Sequence, residues 1–158
     1  MGQNFLTAAW VPADIADASG ADAHTGVLEV GPGIGCLTEQ LAQRAAKVVS
    51  VELDERLRPV LAETLAAYPN VEIVFGDVLA LDLRRLAAER FPGLRPVVCA
   101  NLPYNVTTPL ITAFLTAGCF DTVTVMIQRE AAHRLCARPG TADYGLLTVL
   151  TAWYAELE

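Results

Sequence analysis

Val27-Leu28-Glu29-Val30-Gly31-Pro32-Gly33-Ile34-Gly35 is the stretch on which the fold turns. Four positions read as a short strand, a glycine loop follows at once, and Leu37, Leu41 and Ala45 then recur at helical spacing. The order is therefore strand, loop, helix, the geometry in which bare backbone presses against a ligand at a helix's amino end. Two better-known loops do not fit. Nicotinamide-type loops read G-x-G-x-x-G, whereas here glycines fall at 31, 33 and 35 and position 36 is Cys. No Gly-Lys-Ser/Thr follows, so it is not a P-loop.

Outward from the loop, the same alternation repeats. Lys47 to Leu53 reads as a second strand with Glu52 near its carboxyl end, about 20 residues beyond Gly31, where a βαβ unit places an acid that grips ribose hydroxyls. A surface acid at a strand end is the plainer reading of Glu52 alone. Asp54 is a good cap for a helix ending near Ala67, and Pro59 inside it predicts a kink or a delayed start. Val71 to Phe75 alternates like a third strand and closes on Gly76-Asp77, which makes Asp77 a candidate acceptor for a donor on a ligand's base. A weak helix, Leu83 to Arg90, leads to a fourth strand. Thr107 or Thr108 is expected to cap a helix that has Pro109 in its first turn and runs to about Ala117. Thr122 to Gln128 reads as a fifth strand, with a short helix from Glu130 to the Pro139-Gly140 break. Tyr144 to Leu157 is β-rich in composition yet spaces Leu146, Leu150, Trp153 and Leu157 helically, so a helix is expected. Strands alternating with helices argue a doubly wound α/β sandwich. Trp10 and Trp153 are assigned to core packing.

The fourth strand carries the chemistry. Val97-Val98-Cys99-Ala100 delivers Asn101, Leu102, Pro103 and Tyr104 to one spot, and Pro103 holds Leu102 extended. The Asn101 side-chain oxygen and the Leu102 carbonyl are two acceptors able to take both N–H donors of a flat exocyclic amine. Tyr104 is placed to stack on the attached ring. Such a fork suits an adenine. Ordinary turn punctuation after a buried strand explains the same four residues about as well.

Composition narrows the class. A chain of 158 residues supports one domain with a real core. Hydrophobic residues make up 53%, but no apolar run reaches the roughly 18 residues a membrane span needs, and no signal-type leader stands at Met1. A soluble, cytoplasmic protein without membrane contact is expected. Four scattered cysteines and two distant histidines propose neither a disulfide framework nor a metal site, and the thiols are expected reduced, in a core. The net charge of −7 opposes long-range attraction to nucleic acid. Arginines nevertheless concentrate in two segments, Arg84 to Arg95 and Arg129 to Arg138, either as solvated helix faces or as phosphate binders. Gly2 to Leu6 is either a fraying end or a ligand contact.

Taken together, GQNFL (Gly2 to Leu6), EVGPGIGCLT (Glu29 to Thr38), VELD (Val51 to Asp54), GDVL (Gly76 to Leu79), NLPYNVTTPL (Asn101 to Leu110) and VMIQRE (Val125 to Glu130) resemble the ribosomal RNA adenine N6-dimethyltransferases. The likeness extends through PGTADYGLLTVL (Pro139 to Leu150). GPGIG and NLPY are similar to the small-subunit, KsgA-type branch rather than to the macrolide-resistance branch, which more often reads GSGKG and NIPF.

The resemblance implies S-adenosylmethionine as cofactor, a Rossmann-like methyltransferase sheet, and small-subunit ribosomal RNA in the pre-30S particle as partner, with the protein a monomer. Gly31 and Gly33 would pass under the cofactor, and Asn4 and Leu6 would close over it. Glu52 would take its ribose hydroxyls and Asp77 its adenine amino group, while Asn101 would sit between cofactor and target base. The family's chain continues with two more strands, a second aromatic-bearing loop and a small helical domain, and a basic leader usually precedes GQNFL. Residues 1–158 are thus expected to be a methyltransferase domain incomplete at its C-terminal end, able to bind cofactor but weakly active on RNA. An S-adenosylmethionine enzyme acting on another planar amine, and a non-catalytic ribosome-assembly module on the same scaffold, are the alternatives.

Overall fold

The computed structural model describes residues 10–158. Its frame is one sheet of five parallel strands: β1 (Thr25–Val30), β2 (Lys47–Glu52), β3 (Val71–Phe75), β4 (Arg95–Asn101) and β5 (Thr122–Met126), in the spatial order β3-β2-β1-β4-β5. Every residue of β1 is buried, as expected of a central strand covered on both faces. Helices alternate with the strands: α1 (Val11–Ala18), α2 (Cys36–Ala42), α3 (Arg58–Thr64), α4 (Leu83–Arg90), α5 (Thr107–Ala117), α6 (Arg129–Leu135) and α7 (Leu146–Tyr154).

Strand periodicity sorts the core into two layers. On one face Leu28, Val49 and Val98 pack with Ala87 and Phe91 and with Leu110 and Phe114 of α5. On the other, Val27, Val48, Val97 and Cys99 pack with Ile15 and Ala16 of α1 and with Leu37 and Leu41 of α2. The chain leaves β3, passes over β2 and β1, and returns on the far side as β4. That reversal between β1 and β4 opens a crevice at the carboxyl edge of the sheet.

The five expected strands and their order along the chain are present. β2 ends at Glu52, one residue short of the expected end, and β5 ends at Met126 rather than Gln128. Pro59 delays its helix: Asp54 caps a single 3-10 turn, Glu55–Leu57, by accepting from the Arg56 N–H at 3.0 Å, and α3 begins only at Arg58. The helix α1 was not expected. Pro12 in its first turn starts it, and Ile15 and Ala16 hold it to the sheet.

Three expectations are corrected. Neither Thr107 nor Thr108 caps α5: Val106 occupies that position, and the Thr107 hydroxyl instead donates to the Pro103 carbonyl at 3.0 Å. The helix expected over Tyr144 to Leu157 is present, shorter, as α7 (Leu146–Tyr154). Leu147, Thr148 and Thr151 turn toward the domain, leaving Leu146 and Trp153 82–83% exposed. Trp10 is also exposed, so neither tryptophan is a core residue. Of the four free thiols only Cys99 is buried, while Cys36 and Cys136 are exposed.

Candidate active site

Gly31 and Gly33 form the floor of the crevice. Both have positive φ, +69° and +60°, which L side chains adopt only with strain. A Cβ built at either would meet no atom within 4 Å, so the backbone lies bare toward open space. The loop is pinned from beneath: the Gly31 N–H donates to the Val51 carbonyl at 2.9 Å and the Gly33 N–H to Glu52 Oε2 at 3.2 Å. Gly35 serves packing instead, since a Cβ there would sit 3.1 Å from Leu65 Cδ2.

The acids stand at successive strand ends. Glu52 closes β2, is 4% exposed, and its second oxygen, Oε1, accepts from the Asp54 N–H at 2.8 Å. Each carboxylate oxygen still has a lone pair for a ligand hydroxyl. Asp77, just past β3, caps the 3-10 turn Val78–Ala80 through Oδ1, which accepts from the Leu79 N–H at 2.9 Å. Ile34, Leu53 and Leu79 add exposed apolar surface to the same crevice, a complement to a flat ring. The sequence reading did not single these out, although they adjoin motif positions.

Glu29 is the residue most clearly missed. It lines the crevice from within β1 and is 1% exposed. Its Oε2 accepts from the Thr38 hydroxyl at 2.7 Å and from the Ser50 hydroxyl. Burial pushes its carboxyl up to about 7, with the nearby Glu52 adding to the shift and the two hydroxyl bonds opposing it. An acid between Leu28 and Val30 in an otherwise apolar run was the available signal.

The fork is built where β4 leaves the sheet. Asn101 pairs with Met126 of β5, and the Leu102 N–H donates to the Met126 carbonyl at 3.1 Å, carrying the ladder one step further. Pro103 then turns the chain, its carbonyl accepting from the Val106 N–H at 3.2 Å. The turn leaves Tyr104 49% exposed at the rim. Among the described residues, neither the Asn101 amide nor the Leu102 carbonyl has a hydrogen-bond partner. Gly31, Gly33, Glu52, Asp77, Asn101, Leu102 and Tyr104 all line this one crevice. Asn4 and Leu6 lie outside the described residues. No cluster of three or more metal-ligating side chains occurs among the described residues, and no described helix is long and apolar enough to cross a membrane.

Solved structures share this frame. The 23S rRNA methyltransferase ErmE matches with a TM-score of 0.75 and 35% identity over 94% of this chain and 57% of its own. A dimethyladenosine transferase from Plasmodium falciparum matches with a TM-score of 0.79 and 28% identity over 94% of this chain and 52% of its own. The molecule is thus of the Rossmann-like methyltransferase class. Within that class the chain belongs to the ribosomal RNA adenine dimethylase family, whose description matches residues 1–158. It is 51% identical to the ribosomal RNA small subunit methyltransferase A of Geobacillus thermodenitrificans, over all of this chain and 55% of that protein. For the same-named protein of Ligilactobacillus salivarius the figures are 49%, with 54% of that protein covered. The chain spans about half the length of the curated relatives it matches.

Proposed function

We propose that this chain is the S-adenosylmethionine-binding methyltransferase domain of an enzyme that dimethylates the N6 amine of adenines in small-subunit ribosomal RNA. The observation that carries the proposal is the pair of acceptors, Asn101 amide and Leu102 carbonyl, that lack described partners beside a glycine-floored crevice. The names of the relatives support the substrate class. On this reading the partner is the RNA of an assembling small subunit, the protein is a monomer, and its place is the cytoplasm.

The residues present fit the cofactor. Bare backbone at Gly31 and Gly33 gives room for its amino-acid tail, and two carboxylates, on Glu52 and Asp77, suit a ligand that carries a sulfonium. Glu52 would use its remaining lone pairs for the two ribose hydroxyls. Asp77 would accept from the adenine amino group, and Leu53 and Leu79 would cover the ring. When bound, the cofactor supplies an electrophilic methyl group.

Everything else is positioning by the protein. An adenine amine is a poor nucleophile because its lone pair is delocalised into the ring. Asn101 and Leu102, by accepting both N–H groups, hold the nitrogen in line and favour the pyramidal geometry in which that lone pair is released. Tyr104 stacks on the extruded base, an interaction worth on the order of 1–3 kcal/mol.

Two measurements test the reading. Calorimetric titration with S-adenosylmethionine should show binding that Glu52→Ala weakens by about tenfold or more, as expected for hydrogen bonds to a charged group. Transfer of a tritiated methyl group should favour adenine-containing ribosomal RNA over DNA, protein and small amines, and Asn101→Ala should reduce it about 100-fold or more without loss of cofactor binding. No binding by the parent chain, or equal transfer by the Asn101 variant, would refute the assignment.

A further inference from the structure

Of the three acids that line the crevice, Glu29 is the one the proposed chemistry leaves unused. It lies opposite Ser50 in the register of β1 and β2 and has the parity of Val27, so it points to the face that α1 and α2 cover. One of its oxygens is tied and the other is free. Oε2 accepts from the Thr38 and Ser50 hydroxyls, whereas Oε1 makes no hydrogen bond. Among the described residues no fully buried side-chain oxygen is left without a partner, so Oε1 borders the crevice.

The surroundings of this carboxyl hold no positive charge. Glu52 faces it from β2 and the Cys99 thiol from β4, and both are acids. From α2 comes the Thr38 hydroxyl, and from α1 the apolar Ile15 and Ala16. No lysine, arginine or histidine lines the crevice. Burial without a countercharge favours the neutral form and pushes the carboxyl up to about 7, the two hydroxyl bonds pull it down, and Glu52 adds to the rise. Both forms are therefore within reach near neutral pH.

A ligand with a permanent positive charge tips that balance toward the carboxylate. S-adenosylmethionine brings a sulfonium, and S-adenosylhomocysteine, what remains after the methyl has left, has a neutral thioether in its place. The two are otherwise alike. We propose that Glu29 reads this difference: it holds a proton in the empty crevice, gives it up when the sulfonium form of the ligand enters, and takes it back once the methyl is gone. The O–H bond of the carboxyl is the one that breaks and re-forms, and its proton passes to and from bulk water. This rests on the methyltransferase reading above and adds to it a residue that sets the preference for methyl donor over spent product.

The test counts protons. Calorimetric titrations in two buffers of equal pH but different ionisation enthalpy give the number released on binding. Near pH 6, S-adenosylmethionine should release most of one proton, because a group at about 7 is then mainly protonated in the free protein, and S-adenosylhomocysteine should release none. From about pH 5.5 to about pH 7, where the ligand's own amino group stays largely charged, affinity for S-adenosylmethionine should rise about tenfold and that for S-adenosylhomocysteine less than about twofold. Glu29→Gln keeps an acceptor for the two hydroxyls and should bind both ligands with neither proton release nor that rise. Ser50→Ala removes a bond that favours the carboxylate, so it should move the midpoint of the S-adenosylmethionine profile to higher pH, and it decides the matter should the Gln variant not fold. The proposal is overturned if the two ligands release equal numbers of protons, if Glu29→Gln keeps the parent's release, or if Ser50→Ala leaves the midpoint in place. A parent chain that binds neither ligand refutes the methyltransferase reading and this inference with it, whereas binding of both with the same pH profile refutes this inference alone.

Discussion

Glu29 shows how a single side chain carries the cost of a site. Its carboxyl is wholly enclosed, and burial moves it from 4.5 to about 7. Between those values the folded protein holds a proton that the unfolded chain has released. The contribution of Glu29 to stability is therefore greatest below pH 4.5, falls as the pH rises, and levels off above about 7. The loss is on the order of 3 kcal/mol. Urea denaturation across this range should show the decline, and Glu29→Gln should flatten it. Gly33 invites a second test. Ala at this position must adopt φ +60°, a strain of roughly 1–2 kcal/mol, and its Cβ projects into the crevice. Gly33→Ala should lower the melting temperature by a few degrees and weaken S-adenosylmethionine binding by more than the melting change explains, as read by calorimetry.

At the scale of elements, the strands were the most legible part. Val27 to Val30, Val71 to Phe75 and the run before Asn101 are short, β-branched and bounded by Gly, Asp or Pro, and each signal is local. Helix ends were less so, because a hydroxyl has competing uses: Thr107 bonds back to Pro103 rather than capping α5. The helix α7 shows the limit of periodicity. Leu146, Leu150 and Trp153 do share a helical spacing, but spacing identifies a face and not which neighbour it meets. Packing between β1 and the end of α4 gives the prediction at this scale. A Cβ at Gly26 would fall 2.4 Å from Phe91 Cδ1, where the ring is itself buried. Gly26→Ala should cost about 1–3 kcal/mol, seen as a lower urea midpoint with an unchanged slope.

For the whole molecule, the parallel sheet order turns residues scattered from 31 to 104 into one crevice. The sequence had each candidate on the list, since glycine loop, strand-end acids and fork are each recognisable where they stand. Their convergence required the crossover that places β4 against β1. The exposed side of α7 provides the test at this scale. Because Leu146 and Trp153 stand 82–83% exposed in this chain, changing both to Ser should shift its stability by no more than about 0.5 kcal/mol per site. A tryptophan in the core would cost about 3–5 kcal/mol on truncation, so thermal melts separate the two placements clearly.

From the sequence alone came the alternation of strands and helices, the bare loop at Gly31 to Gly35, the acids at 52 and 77, and the two acceptors at Asn101 and Leu102. These depend on residues within a turn or a strand of one another, where backbone sterics and side-chain period act directly. Only the tertiary structure decided that Glu29 is sealed beneath the crevice, that α7 turns its leucine and tryptophan outward, and that Arg129, Arg134 and Arg138, of eleven cations, lack a partner among the described residues. Such properties depend on which distant segments meet, and burial and charge pairing are set by that meeting.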